Sequence, residues 1–370
     1  MKIYVVAGEK SGDKQGALMI RELLARRPDL EIVGLGGARM HELAPGVQDW
    51  ADDAAVIGLV EVLRHIRFFA RHLNDITRRI AEEQPDGLIL IDYPGFNQRL
   101  AERVRKVSPK TKIAWFIAPM VWAWKKGRIP KLARVLDLMM CTFPFEKPLF
   151  EKAGLRTEFV GHPLVDDILA MRRPDVREKG LIGLFPGSRK REIESNFPVF
   201  MEVVKQLSVS HPEWRFETSA STQAIADRMR GMAAAAGVDE KLMNISPGSY
   251  HDLMDRAEAA LVTSGTATLE AALHELPFAL VYKVAWPTYF IGRLILTIKY
   301  IGMVNILVDK PVTRELIQHE FNPANCIAEL ERLTTPEPRA KVLAEMRESM
   351  DCLGHGGAAA KAAEAVLSLF

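Results

Sequence analysis

Short apolar runs alternate with longer stretches of helical spacing along the whole of this 370-residue chain. In the first half the runs are Lys2 to Ala7, Glu31 to Leu35, Gly87 to Ile91, Lys112 to Ile117 and Leu136 to Cys141. In the second half they are Leu181 to Phe185, Trp214 to Ser219, Ala259 to Thr263 and Phe278 to Val281. A strand buried on both faces reads as a continuous apolar run, so the pattern predicts an α/β protein with parallel sheets covered by helices. Gly58 to Glu83 places Leu59, Leu63, Ile66, Phe69, Leu73, Ile76 and Ile80 at three- and four-residue spacing, the core-facing stripe of a long helix. Val60 and Phe68 fall off that stripe, among Arg64, Arg67 and Arg71. Apolar groups rimmed by cations suit a peripheral membrane surface; a solvated basic face is the alternative.

The length suits two α/β domains better than one core. Pro163 to Pro174, followed by the charged Arg177, Glu178 and Lys179, reads as the connection. The expected division is 1–172 and 173–339, with a C-terminal helix at about 340–370. Gly354-His355-Gly356-Gly357 is a hinge by composition, which permits that helix to pack on the first domain or on a partner in a homodimer. Trp286 to Val308 is the longest apolar-rich run, but Arg293 and Lys299 lie inside it and Pro287, Gly292 and Gly302 break it. A spanning helix needs about 20 predominantly apolar residues, so a buried helix of the second domain is expected, with an interfacial segment as the alternative.

Net charge is only +2, but from Arg99 to Arg134 there are eleven Lys or Arg residues against the single acid Glu102. That concentration reads either as a solvated basic face or as a surface for an anionic membrane or a phosphorylated substrate. No nucleic-acid motif accompanies it, so nucleic acid is not expected as a partner. Cys141, Cys326 and Cys352 are odd in number and far apart, without metal or disulfide spacing. That fits a reducing cytoplasm, and the strand-like start at Ile3 gives no signal-peptide pattern.

Four motifs sit where an apolar run ends and a helix begins. In Gly8-Glu9-Lys10-Ser11-Gly12-Asp13 the glycines suit either anion binding at a helix start or turn geometry alone. Ile91-Asp92-Tyr93-Pro94-Gly95-Phe96-Asn97 puts Asp92 at the carboxyl end of a strand, where ligand sites form in open parallel sheets. Asp92 could serve there as a general base or cap the following helix. Phe185-Pro186-Gly187-Ser188-Arg189, followed by Glu192, offers N–H groups and a guanidinium to a diphosphate. Ser264-Gly265-Thr266, with Glu270 one turn on, adds further donors and a carboxylate suited to ribose hydroxyls. Capped helices explain the small residues but not the whole set. No Asp-any-Asp triplet or His/Cys cluster is present, so no metal and no cofactor is expected. His162 is a site candidate or a structural hydrogen-bonder.

These motifs, together with Gly34-Leu35-Gly36-Gly37, Val121-Trp122-Ala123-Trp124, Phe143-Pro144-Phe145-Glu146, Gly161-His162-Pro163, Asn305-Ile306-Leu307 and Glu315 to Gln318, resemble the lipid A disaccharide synthases over residues 1 to about 325. The resemblance implies a glycosyltransferase B-type fold, two Rossmann-like domains facing a cleft. It implies an inverting transfer of diacylglucosamine from UDP onto diacylglucosamine 1-phosphate, at the inner face of the inner membrane. By that likeness Asp92 is the base and Gly187, Ser188 and Arg189 hold the diphosphate, with Ser264, Gly265 and Thr266 assisting and Glu270 on the ribose. Ser11, Gly12, Asn97, His162, Asn305 and Gln318 become substrate-site candidates, and Val60, Arg64, Arg67 and Phe68 membrane or acyl contacts. Val304 stands where the family is expected to carry proline. The main rival is a UDP-N-acetylglucosamine 2-epimerase-like isomerase, which leaves Trp122, Trp124 and the Arg-rich helix unexplained; a non-catalytic nucleotide-sugar binder is the second.

Overall fold

The computed structural model describes residues 1–51, 59–124, 126–295 and 298–370, with the side chains of 59–66, 126, 291, 293 and 295 outside the description. Seven parallel strands form the first sheet: β1 (Lys2–Ala7), β2 (Glu31–Gly36), β3 (Gly46–Asp49), β4 (Gly87–Ile91), β5 (Lys112–Phe116), β6 (Leu138–Cys141) and β7 (Thr157–Phe159). Their order is β3-β2-β1-β4-β5-β6-β7. The second sheet holds β8 (Glu178–Phe185), β9 (Arg215–Ala220), β10 (Met243–Pro247), β11 (Ala257–Thr263), β12 (Phe278–Tyr282) and β13 (Glu315–Ile317), in the order β10-β9-β8-β11-β12-β13. Each order reverses once, between β1 and β4 and between β8 and β11, which opens a crevice at the carboxyl ends of those strands.

The chain divides into Met1–Asp166 with Leu353–Phe370, and Asp167–Cys352. The helix Pro336–Asp351 thus belongs to the second unit, and the helix Ala358–Leu367 to the first. In that last helix Ala362, Ala363 and Val366 share a core with Met19, Ile20 and Leu23 of the helix Lys10–Arg26. That core covers one face of the first sheet through Ile3, Val5 and Ile89; Tyr4, Val6, Leu88 and Trp115 face the opposite core. The pleat sends alternate residues to opposite faces, and with helices on both faces the strands carry no polar alternation.

The central strands coincide with the predicted runs to within a few residues. The four strands the apolar pattern did not reveal, β3, β7, β10 and β13, are the four sheet edges. An edge strand pairs on one side only; β3, β7 and β13 are three or four residues long and β10 alternates buried and more exposed positions, so none has a continuous apolar run to display. In the long helix Leu59–Glu83, Leu73, Ile76 and Ile80 are buried as the stripe requires. Phe68 is half-buried: its ring stacks on Trp50 at 6.0 Å, so it is not the wholly outward group its spacing suggested. Arg67 is exposed; the Val60 and Arg64 side chains lie outside the described residues.

The helix Trp286–Ile295 is not the buried helix expected, because Trp286, Phe290 and Leu294 are exposed on one face of it. No helix among the described residues is long and apolar enough to cross a membrane.

Candidate active site

In the second unit, the turns after β8 and β11 line one cavity of about 480 Å³. Gly187, Ser188, Arg189, Ser264, Gly265, Thr266 and Glu270 all border it, so residues far apart in sequence meet at one crevice. Gly187 holds φ +104, and a Cβ there would stand 2.5 Å from Glu192 Oε2. That same oxygen accepts from the N–H groups of Ser188 and Arg189, both at 3.2 Å. The turn therefore already cradles an anion, the carboxylate of Glu192, using donors suited to phosphate. Arg189 is exposed and bonds only loosely to Glu192, at 3.3 Å.

The second turn needs Gly265 for its backbone, φ +142. Thr268 Oγ1 donates to the Gly265 carbonyl at 2.8 Å and shapes the helix start. Glu270 accepts from Tyr250 Oη at 2.8 Å. Burial first, and the Glu270 carboxylate second, push the Tyr250 phenol far up, so it stays a donor. Tyr250, and Ser219, Ser221 and Gly248 beside it, complete the cavity and were not predicted. Ser219 lies near the end of β9, Ser221 just after it, and Gly248 and Tyr250 after the edge strand β10; the ends of these strands carry no recognisable turn motif. Asn196 was also missed: it is buried and donates to the Pro186 carbonyl and to Thr263 Oγ1, both at 3.0 Å, tying the two turns together.

In the first unit Asp92 follows β4. Asp92 and Tyr93 both hold left-handed backbone, φ +46 and +50. The helix Pro94–Val107 is capped at Tyr93 without a side-chain bond, so Asp92 is not its cap. Asn97 is wholly buried, and its amide donates to the carbonyls of Ile91 at 3.2 Å and Asp92 at 2.7 Å. It pins the strained turn from beneath instead of facing a ligand. Burial, reinforced by the Glu9 carboxylate, pushes the Asp92 carboxyl up to about 6.

The adjoining loop is held equally firmly. Asp13 is buried and accepts from the N–H groups of Gly37, Arg39 and Met40, at 2.8, 3.2 and 3.0 Å, which caps the helix Ala38–Leu43. A Cβ on Gly8 would lie 2.3 Å from the Tyr93 ring, so glycine is required there for packing. Ser11 is exposed and Gly12 buried in the first turn of the helix Lys10–Arg26. Buried Glu146 accepts from Trp122 Nε1 at 2.9 Å and Phe143 N at 3.2 Å, and burial pushes its carboxyl up to about 7. This joins the Val121–Trp124 and Phe143–Glu146 motifs.

Three further substrate-site candidates, besides Asn97, also bond mainly to the protein's own groups. Asn305 is fully buried, with its amide bonded to the Thr313 carbonyl at 2.8 Å and Glu315 Oε1 at 2.9 Å and its oxygen accepting from Thr313 N at 2.9 Å. It folds a loop and does not border the cavity of the Gly187 and Ser264 turns. Gln318 exchanges two bonds with the Val284 backbone, 2.8 and 3.0 Å, and latches the chain after β12. It borders a separate hollow with Trp286 and Phe321. His162 Nδ1 accepts from Leu164 N at 3.2 Å and its ring meets Phe143 at 5.1 Å, within the first unit. Among the described residues no cluster of three or more His, Cys, Asp or Glu side chains could hold a metal.

Solved structures show the same fold at low identity. A putative UDP-N-acetylglucosamine 2-epimerase from Listeria monocytogenes matches with TM-score 0.64 and 15% identity, covering 97% of this chain and 93% of that one. The UDP-GlcNAc 2-epimerase from Neisseria meningitidis bound to UDP-GlcNAc gives 0.64 and 12%, covering both chains fully. CalG4, the calicheamicin glycosyltransferase, gives 0.58 and 14%, over 99% of this chain and 97% of that one. These are the two Rossmann-like units of the glycosyltransferase B-type fold. Sequence separates the activities that share it. A lipid-A-disaccharide synthase from Geobacter sulfurreducens is 37% identical over all of this chain and 97% of its own length. One from Myxococcus xanthus is 36% identical, with the same coverage. The sequence pattern of the lipid-A-disaccharide synthetases matches residues 3–367, and the chain belongs to that glycosyltransferase family.

Proposed function

We propose that this enzyme joins UDP-2,3-diacylglucosamine to 2,3-diacylglucosamine 1-phosphate, giving the β-1,6-linked disaccharide 1-phosphate and UDP. The observation that carries the reading is the convergence of the Gly187–Arg189 and Ser264–Glu270 turns on one cavity. The diphosphate replaces the Glu192 carboxylate on the Ser188 and Arg189 N–H groups, Arg189 adds its guanidinium, and Ser264, Gly265 and Thr266 supply further donors. Glu270, held by Tyr250, receives the ribose hydroxyls. The Neisseria relative's bound UDP-GlcNAc supports a UDP-sugar as donor.

In the chemical step the acceptor 6-oxygen bonds to the donor's anomeric carbon as that carbon's bond to the UDP oxygen breaks, with inversion. The hydroxyl proton passes to Asp92. Its raised carboxyl is a better match to an alcohol proton than an ordinary aspartate, and is still largely ionised at neutral pH. Asn97 holds that carboxylate's backbone in position. Charge building on the leaving diphosphate is met by fixed donors and Arg189. Ser11 and Gly12, at a helix start, face the acceptor side. The enzyme works peripherally at the cytoplasmic face of the inner membrane, where Arg67, and Arg64 by its place in sequence, meet anionic lipid and Phe68 and Val60 adjoin acyl chains.

The test is UDP release from the donor with and without acceptor, for wild type and Asp92→Ala. Acceptor-dependent release that collapses in the variant while UDP binding persists supports the reading. Release without acceptor, or full turnover in the variant, refutes it.

A further inference from the structure

The helix Trp286–Ile295 has an apolar face that the fold leaves open. Trp286 is 53% exposed, Phe290 59% and Leu294 87%. They recur every four residues, so they form one stripe along the helix. Trp286 and Phe290 stack at 5.7 Å, and Tyr289 packs against Phe290 at 5.9 Å, so the stripe is a preformed aromatic ridge. From Lys283 to Val308 the sequence carries Lys283, Arg293 and Lys299 and no acidic residue. Lys283 and Lys299 are exposed, and Lys299 sits 4.7 Å from the Tyr300 ring centroid. Trp and Tyr beside cations, with aliphatic and Phe side chains between them, is the composition of a helix lying in a membrane interface. Ten residues are too few to span a bilayer.

We propose that this helix inserts its Trp286-Phe290-Leu294 face into an anionic lipid surface. A second copy of the chain is the poorer occupant, because a two-fold contact on this face would set its cations against themselves. Lipid phosphates neutralise them instead. The helix begins four residues after β12 ends, at the same carboxyl edge of the sheet that carries the Pro186–Arg189 and Ser264–Thr266 turns. A lipid surface at that edge lies alongside the cavity of the second unit. The inference does not depend on the transferase assignment, because partitioning is measured without substrate.

The experiment is partitioning of the full chain onto phosphatidylethanolamine–phosphatidylglycerol vesicles, compared with neutral phosphatidylcholine vesicles. Wild type should prefer the anionic vesicles. Phe290→Ser/Leu294→Ser should lower the partition coefficient by at least about tenfold, since two large apolar groups lose their burial, with the thermal midpoint unchanged. Lys283→Gln and Lys299→Gln should each lower it by about fivefold at low salt. Brominated phospholipid should quench the part of the emission that Trp286→Phe removes. Unchanged partitioning of the double serine variant overturns the proposal, as does Trp286 emission that bromine leaves untouched. It also falls if the double variant breaks a lipid-free dimer while binding vesicles like wild type. Loss of binding in Phe68→Ser alone, with none in the double variant, would assign the lipid surface to the first unit only and equally overturn it.

Discussion

Asn97→Ala should lower kcat by about 10- to 100-fold while leaving UDP affinity within about twofold. Asp92 and Tyr93 sit in the left-handed region, at about 1–2 kcal/mol each for residues other than glycine. The Asn97 amide holds them there through the carbonyls of Ile91 and Asp92. Removing it leaves two acceptors underbonded, about 1–3 kcal/mol for a buried group. The restraint and the strain are of similar size, so the turn relaxes when the amide is gone and the carboxylate leaves its position. Asn97 Oδ1 has no hydrogen-bond partner among the described residues, so deleting the side chain also removes an unsatisfied oxygen, and the loss of global stability stays near 1 kcal/mol. The melting temperature should fall by only about 2–4 °C. The assays are steady-state turnover at saturating donor and acceptor, calorimetric titration with UDP, and thermal unfolding. Asn97→Asp keeps the shape, loses the donor and adds a buried anion, so it should be at least as inactive and should move the pH–rate inflection upward. A folded Asn97→Ala enzyme with wild-type kcat would refute the positioning argument, and a large loss of UDP affinity would refute its confinement to the first unit.

Asp92 must be ionised to accept a proton, so kcat should rise with pH through about 6 and level off above it, and Glu9→Gln should move that inflection down. Because the folded-state value lies above the unfolded one, Asp92 favours folding at acid pH and loses that contribution as pH rises from about 4 through 6; Asp92→Asn should therefore be more stable at pH 7 by up to about 3 kcal/mol, while inactive, as a pair of denaturation curves would show. Tyr250→Phe frees the Glu270 carboxylate and should weaken UDP binding about 3- to 10-fold by calorimetry, with the thermal midpoint little changed. Gly187→Ala meets both a φ of +104 and the Glu192 carboxylate, and should reduce UDP affinity by at least about tenfold.

What was legible in the sequence was what neighbouring residues decide together. Most central strands declared themselves because burial on both faces favours apolar runs, though β9 alternates buried and more exposed positions, and the two turns of the second unit did so because small residues before a helix state their own geometry. Asp92 was legible from its place at a strand end. The edge strands were not, since half of their pairing faces no partner. Nor were Tyr250 and Asn196, whose roles exist only once separate strands lie side by side. Asn305 and Gln318 show the reverse: polar residues in family motifs, yet each is consumed by backbone groups that the fold brings within 3 Å. The helix Trp286–Ile295 shows it most plainly. Composition established that the segment is apolar and basic, but only tertiary packing decided which way it faces, because burial depends on what the rest of the chain sets against it and no local pattern contains that information.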